Sequence, residues 1–183
     1  MFKKENLTIP NLLSICRIIF LPLLYYYANN NMRTAFTIGY IVLSLTDFFD
    51  GVIARKFNQK SPIGPVLDSV GDVPFYLSTA YFIYKLYPEM LTLTNAILLI
   101  VAVAFMLSVF IVAKIKFGKP AIIHTFLMRK SCVLVFFLMI IAHFMNAEYF
   151  LSAILIIYTI GFVEQLLIFQ KYGLVHLDSI SIY

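Results

Sequence analysis

Charge is what this sequence has least of. Lysine, arginine, aspartate and glutamate make up 13% of its 183 residues, about half the share of about 25% found in water-soluble domains. Hydrophobic residues make up 62%, and the mean hydropathy is +0.91. These values exclude a soluble globular domain. No stretch is long or polar enough for an additional soluble domain, and there is no internal repeat or low-complexity linker. Cysteine occurs only at Cys16 and Cys132, in apolar runs without CxxC spacing or a nearby histidine cluster. Both are expected to be packing thiols rather than disulfide partners or metal ligands. A basic, aromatic-studded surface segment is also missing, which excludes nucleic acid as a partner. The net charge of +5 is assigned to loop lysines and arginines that face anionic lipid.

What is present is apolar and helical in pattern. A chain of this length holds about six spans of about 20 residues with short loops. The expected spans are Pro10 to Ala28, Thr34 to Phe57, Gly64 to Tyr84, Leu91 to Ile115, Phe126 to Phe144 and Tyr149 to Gln170. Thr8-Ile9-Pro10 has the form of a helix start with proline in the first turn. Asn29-Asn30-Asn31, Asn58 to Pro62, Tyr87-Pro88-Glu89 and Asn146-Ala147-Glu148 read as turns. Lys3 and Lys4 precede an apolar run as in a signal peptide. That run holds Arg17, extends to Ala28 and lacks a small-x-small cleavage site, so it is expected to be retained. The expected fold is an all-α integral membrane protein, a six-transmembrane-helix bundle forming a single membrane domain over residues 1–183. The 12 tyrosines and 18 phenylalanines are ordinary for such a bundle with interfacial belts.

Basic residues set the expected orientation. Lys3 and Lys4, then Arg55, Lys56 and Lys60, then Lys114, Lys116, Lys119, Arg129 and Lys130, then Lys171 all fall on one side. Only Arg33 and Lys85 fall on the other. Both termini are therefore expected in the cytoplasm, in a chain of the cytoplasmic membrane.

Against this background four aspartates stand out: Asp47, Asp50, Asp68 and Asp72. Their flanks, Thr34 to Phe49 and Val73 to Ile83, are almost uniformly apolar. An ionised side chain at mid-bilayer costs roughly 2.5–3.5 kcal/mol on insertion scales, so four together demand a reason. At 3.6 residues per turn, Asp47, Gly51 and Arg55 share a stripe of the second span, with Asp50 and Ala54 beside it. Gly64, Asp68 and Asp72 recur every four residues in the third span. The acids are expected to converge near the cytoplasmic face, in the cleft between these two helices. Gly51, Ala54, Gly64 and Gly71 leave space there for a ligand or a close helix approach. Pro74 is expected to bend the third helix beside Asp72.

Convergent carboxylates repel one another unless cations intervene. Oxygen-only ligands select hard ions, favouring Mg²⁺ or Mn²⁺, and a pair of ions suits displacement at phosphorus. The bland alternative is a set of helix–helix hydrogen bonds or a structural ion site. Arg55, at the end of the second span, suits a phosphate clamp. Arg17 is expected to face the bundle, either pairing with an aspartate or reaching a phosphate. Lys119, His124, Arg129 and Lys130 cluster around the fourth loop; they either set topology or bind a phosphate on a second substrate, with Arg129 and Lys130 the stronger candidates for such contacts.

The string D-x2-D-G-x2-A-R-x8-G-x3-D-x3-D, complete from Asp47 to Asp72, resembles the signature of the CDP-alcohol phosphatidyltransferase family. The opening Ile9-Pro10-Asn11-Leu12-Leu13 with Arg17 is similar to that family's first span. The resemblance implies an enzyme in which the hydroxyl of a small alcohol attacks the diacylglycerol-side phosphorus of CDP-diacylglycerol, releasing CMP. It implies that Asp47, Asp50, Asp68 and Asp72 hold two divalent ions, with Asp72 also the general base. Gly51, Arg55 and Ser61 would contact the CDP part, while Ala54 and Gly64 make room. It further implies a homodimer, membrane lipid as surroundings and an active site facing the cytoplasm. The acceptor is open among glycerol 3-phosphate, serine, and inositol or its phosphate. Ser69 and Val73 stand where glycerol-phosphate users often have proline and lysine, and Leu67-Asp68-Ser69 is closer to serine users. Two other classes also place acids in membrane helices. A divalent-cation transporter does not need Gly51, Ala54, Arg55 and Gly64 at these distances. A Mg²⁺-dependent membrane prenyltransferase normally needs a longer chain with two well-separated acidic motifs.

Overall fold

The computed structural model describes residues 8–59, 61, 63–118 and 126–171. The side chains at 65, 66, 68, 69, 72, 73, 76, 126–130 and 132 lie outside that description. Among the described residues there are six α-helices and no strand: α1 (Ile9–Asn29), α2 (Arg33–Lys56), α3 (Gly64–Leu86), α4 (Leu93–Phe117), α5 (Phe126–Phe144) and α6 (Glu148–Lys171). A 3-10 turn at Pro88–Met90 precedes α4. Every helix end lies within about two residues of its expected position, because the turn residues between the apolar runs mark the boundaries. Among the described residues four helices, α1, α2, α4 and α6, are long and apolar enough to cross a membrane. The chain is thus an all-helical protein of the membrane class.

Local chemistry explains the ends. Thr8 Oγ1 accepts from the Asn11 backbone N–H at 3.4 Å, capping α1 with Pro10 in its first turn. Thr92 caps α4 in the same way through Asn95. Gly118 closes α4 at φ 73°, a left-handed position that a side chain disfavours. Arg55 and Lys56 end α2, and Lys114 and Lys116 end α4, where cations complement the helix dipole.

The chain forms two compact units, Met1–Pro88 and Glu89–Tyr183. In the first, α1 packs extensively on both α2 and α3, whereas α2 and α3 meet only sparsely. Its core is aromatic: Phe36 and Phe82 meet edge to face at 4.9 Å, and Tyr40 stacks on Phe75 at 4.9 Å. Tyr25 donates to Ser78 Oγ at 2.8 Å, and Tyr40 and Thr79 share a hydrogen bond at 3.1 Å. In the second unit α6 packs on α4 and α5. Asn95 joins the starts of α4 and α6, donating to the Glu148 carbonyl at 3.1 Å and accepting from Ser152 at 2.6 Å. The first unit has its polarity reversed relative to a soluble domain. Asn11, Ser14, Arg17 and Asp50 are buried, while Ile19, Ile38, Phe48 and Leu77 are exposed. An apolar exterior is what lipid requires.

Candidate active site

The polar centre of the first unit is built by α1 and α2. Asp47 and Asp50 lie one turn apart near the end of α2; the Asp50 side chain is 8% exposed and that of Asp47 30%. Three polar residues of α1, at every third position, face this region. Arg17 is the largest fully buried side chain among the described residues. Its Nη2 lies 2.7 Å from Asp50 Oδ2 and 3.2 Å from Asp47 Oδ1. Ser14 Oγ lies 3.2 Å from the same Asp50 oxygen and 3.3 Å from the Pro10 carbonyl. A hydroxyl has one proton, and the charged acceptor forms the stronger bond. Arg17 thus lies against both aspartates of α2.

Asn11 reaches the loop between α2 and α3. Its Nδ2 donates to Ser61 Oγ at 2.8 Å, and Ser61 Oγ donates back to Asn11 Oδ1 at 3.0 Å. Gln59 Oε1 accepts from the Ile9 backbone N–H at 3.2 Å, satisfying a first-turn donor that has no partner within its helix. The loop that carries Ser61 is thereby tied to the start of α1.

The small residues serve these contacts individually. A Cβ at Gly64 would lie 3.2 Å from Ser61 Oγ and 3.4 Å from Asn11 Oδ1, so glycine admits the paired side chains. A Cβ at Gly71 would lie 3.4 Å from the Ser14 carbonyl oxygen and 3.5 Å from Arg17 Nη1. Of the two uses expected for the space at Gly71, a close helix approach is the one taken: α1 passes against α3 there. At Gly51 the neighbour is the Arg55 guanidinium, 3.6 Å from the Cβ position. Arg55 is exposed and makes no ion pair among the described residues.

Asp68 and Asp72 follow Gly64 at four-residue intervals along α3, and Pro74 lies within the same helix. The side chains of Asp68 and Asp72, and those of Arg129 and Lys130 at the start of α5, lie outside the described residues, as do Lys119 and His124 entirely. The expected cleft between α2 and α3 gains a third wall, because α1 packs on both while they meet only sparsely. Asn11 and Ser14 are the site neighbours that residue-by-residue reading does not assign. Their signal is a polar residue at every third position of an apolar span.

The donor set suits a hard divalent cation. Its described ligand candidates are carboxylate oxygens one turn apart, and each carboxylate offers about four acceptor positions over two oxygens. Arg17 engages one oxygen of each.

An all-helical membrane chain with an acidic pair on one helix, held by a buried arginine from another, is the class that fold and site define. The chain belongs to the CDP-alcohol phosphatidyltransferase family, whose profile matches residues 7–165. Among its relatives, a CDP-diacylglycerol–glycerol-3-phosphate 3-phosphatidyltransferase of Aquifex aeolicus is 38% identical over 38% of this chain and 39% of its own length. The Rickettsia bellii protein of the same name is 42% identical over 37% of this chain and 38% of its own. A CDP-diacylglycerol–inositol 3-phosphatidyltransferase of Saccharomyces cerevisiae is 38% identical over 44% of this chain and 36% of its own. The chain therefore matches well under half the length of these relatives. No solved structure matches it.

Proposed function

We propose that this protein transfers a phosphatidyl group from CDP-diacylglycerol to the hydroxyl of a small alcohol, releasing CMP, with divalent-metal help. Residues 1–183 act as one membrane domain of six spans with both termini and the active site at the cytoplasmic face, in the cytoplasmic membrane and as a homodimer. The observation that carries the reading is the pair Asp47 and Asp50, held together in an apolar bundle in a chain of this family.

Asp47, Asp50, Asp68 and Asp72 would hold Mg²⁺ or Mn²⁺, as two ions. Bound there, the metal would neutralise the diphosphate and stabilise the departing CMP oxygen. The chain's own residues do the rest. Asp72 takes the proton of the acceptor hydroxyl. The exposed Arg55 guanidinium, beside Gly51, binds a phosphate of the CDP part. Ser61 holds the neighbouring loop to Asn11 and has acceptor capacity left for the nucleotide. Ala54 and Gly64 keep the approach open. Arg129 and Lys130 contact a phosphate on the acceptor when it carries one.

Relatives at the same identity differ in the acceptor of their names, glycerol 3-phosphate in one and inositol in another. Identity of this degree therefore speaks for donor and chemistry, and the acceptor is taken as one of glycerol 3-phosphate, serine, inositol or inositol phosphate. The test is CMP release from CDP-diacylglycerol by membranes bearing the protein, with Mn²⁺ or Mg²⁺ and each acceptor in turn. Release with one acceptor names it. No release with any of them ends the enzyme reading.

A further inference from the structure

Arg17 is 1% exposed, and a single one of its nitrogens contacts both carboxylates of α2. That geometry has an electrostatic consequence. Two carboxylates a turn apart in a low-dielectric bundle repel strongly, and a lone buried guanidinium is equally unfavourable. Together they offset one another's charge. Gly71 on α3 lies alongside Arg17, a Cβ there standing 3.5 Å from Arg17 Nη1. Ser14 adds a hydrogen bond to the Asp50 oxygen that Arg17 already holds.

We propose that Arg17 is a resident counter-cation and positioning residue: it holds Asp47 and Asp50 in register before a divalent ion arrives. This inference rests on the metal-site reading above and adds a specific relation between the two cations. Arg17 and the ion neutralise the same carboxylates, so their stabilising effects overlap and cannot add. An ion must then stabilise a protein that lacks the guanidinium more than it stabilises the native one.

The experiment is thermal unfolding of the purified full chain in detergent, with and without Mn²⁺, at matched ionic strength. In native protein Mn²⁺ raises Tm. In Arg17→Met the metal-free Tm falls by the order of 10 °C, as expected for a broken buried pair, and the Mn²⁺-induced rise exceeds the native one. A Mn²⁺ rise in Arg17→Met equal to or smaller than the native rise overturns the proposal and reduces Arg17 to a packing residue. Absence of any Mn²⁺ effect on the native protein instead removes the metal site itself. If Arg17→Met cannot be recovered, Arg17→Met combined with Asp50→Asn decides, because it restores the charge balance. Recovery of that double variant supports the counter-cation role, and failure to recover it overturns it.

Discussion

Asn11 on α1 and Ser61 in the loop after α2 exchange two hydrogen bonds, at 2.8 and 3.0 Å, across 50 positions of sequence. The pair fixes the loop that leads into α3 against the helix that carries Arg17. Asn11 is 3% exposed, so replacing Ser61 takes two hydrogen bonds from a buried amide. Ser61→Ala is expected to destabilise the protein by about 1–3 kcal/mol. Asn11→Ala leaves a half-buried hydroxyl that water can reach, and is expected to cost less. In both, KM for CDP-diacylglycerol should rise more than kcat falls if the loop positions donor contacts as proposed. Thermal unfolding with donor-dependent CMP release checks this; an unchanged donor KM in both variants would detach the loop from donor binding.

Asp47 and Asp50 are close in chain and in assigned role, yet they differ in burial. Asp50 shares its oxygen with Arg17 and Ser14, whereas Asp47 makes the longer contact and is more exposed. Asp50→Asn breaks a buried pair and is expected to cost about 3 kcal/mol or more. Asp47→Asn, screened by its exposure, should unfold closer to the native temperature. Both should abolish CMP release. Equal stability losses would show that Arg17 does not favour Asp50.

Much of this was legible in sequence, and the reasons are physical. Helix ends follow from apolar run length and from Asn, Pro and Gly at the breaks, all local properties. The stripe Asp47–Gly51–Arg55 follows from helical period alone. The role of α1 does not. Which neighbour a span packs against depends on how each helix rotates, and hydropathy treats the spans one at a time. Ser14 is nearly silent in sequence for a further reason: a serine in an apolar helix can bond the carbonyl four residues back and so needs no tertiary partner. Gly71 shows the same limit. Its small size was visible, but only the packed helices show that Arg17 lies alongside it.

Gly71 therefore gives a graded steric test. An alanine Cβ would sit at ordinary contact distance, 3.4 Å from the Ser14 carbonyl and 3.5 Å from Arg17 Nη1. Gly71→Ala is expected to stay within about 1 kcal/mol of native stability and to keep activity. Gly71→Leu extends past the Cβ position toward α1 and should cost about 1–3 kcal/mol by overpacking, with loss of CMP release as Arg17 is displaced. A leucine variant with native Tm and activity would show that α1 and α3 separate easily.

Arg55 makes no ion pair among the described residues and is exposed, so its removal leaves no buried charge behind. Arg55→Ala is expected to change stability by no more than about 0.5 kcal/mol. Its effect should fall on the donor: a charge-assisted bond to phosphate is worth about 1.5–3 kcal/mol, which corresponds to a loss of about 10- to 150-fold in kcat/KM. Arg55→Lys keeps the charge without the fork and should recover part of that loss. Steady-state CMP release at varied CDP-diacylglycerol separates these outcomes. Native kcat/KM in Arg55→Ala would reduce the residue to an anchor at the membrane surface.

Asp68 lies one turn after Gly64 and one turn before Asp72, and its expected part is ion binding. Asp68→Asn is close to isosteric, so insertion and helical content by circular dichroism should be retained. It lowers the anionic charge at the proposed ion site, so CMP release should be lost and the Mn²⁺-induced rise in Tm should shrink. Chelation of the native protein should likewise abolish CMP release, with recovery on adding back Mn²⁺ or Mg²⁺. The pairing of results matters more than either alone. Lost release with an undiminished Mn²⁺ rise would move Asp68 from ion ligand to substrate contact, whereas full activity in Asp68→Asn would remove it from the site.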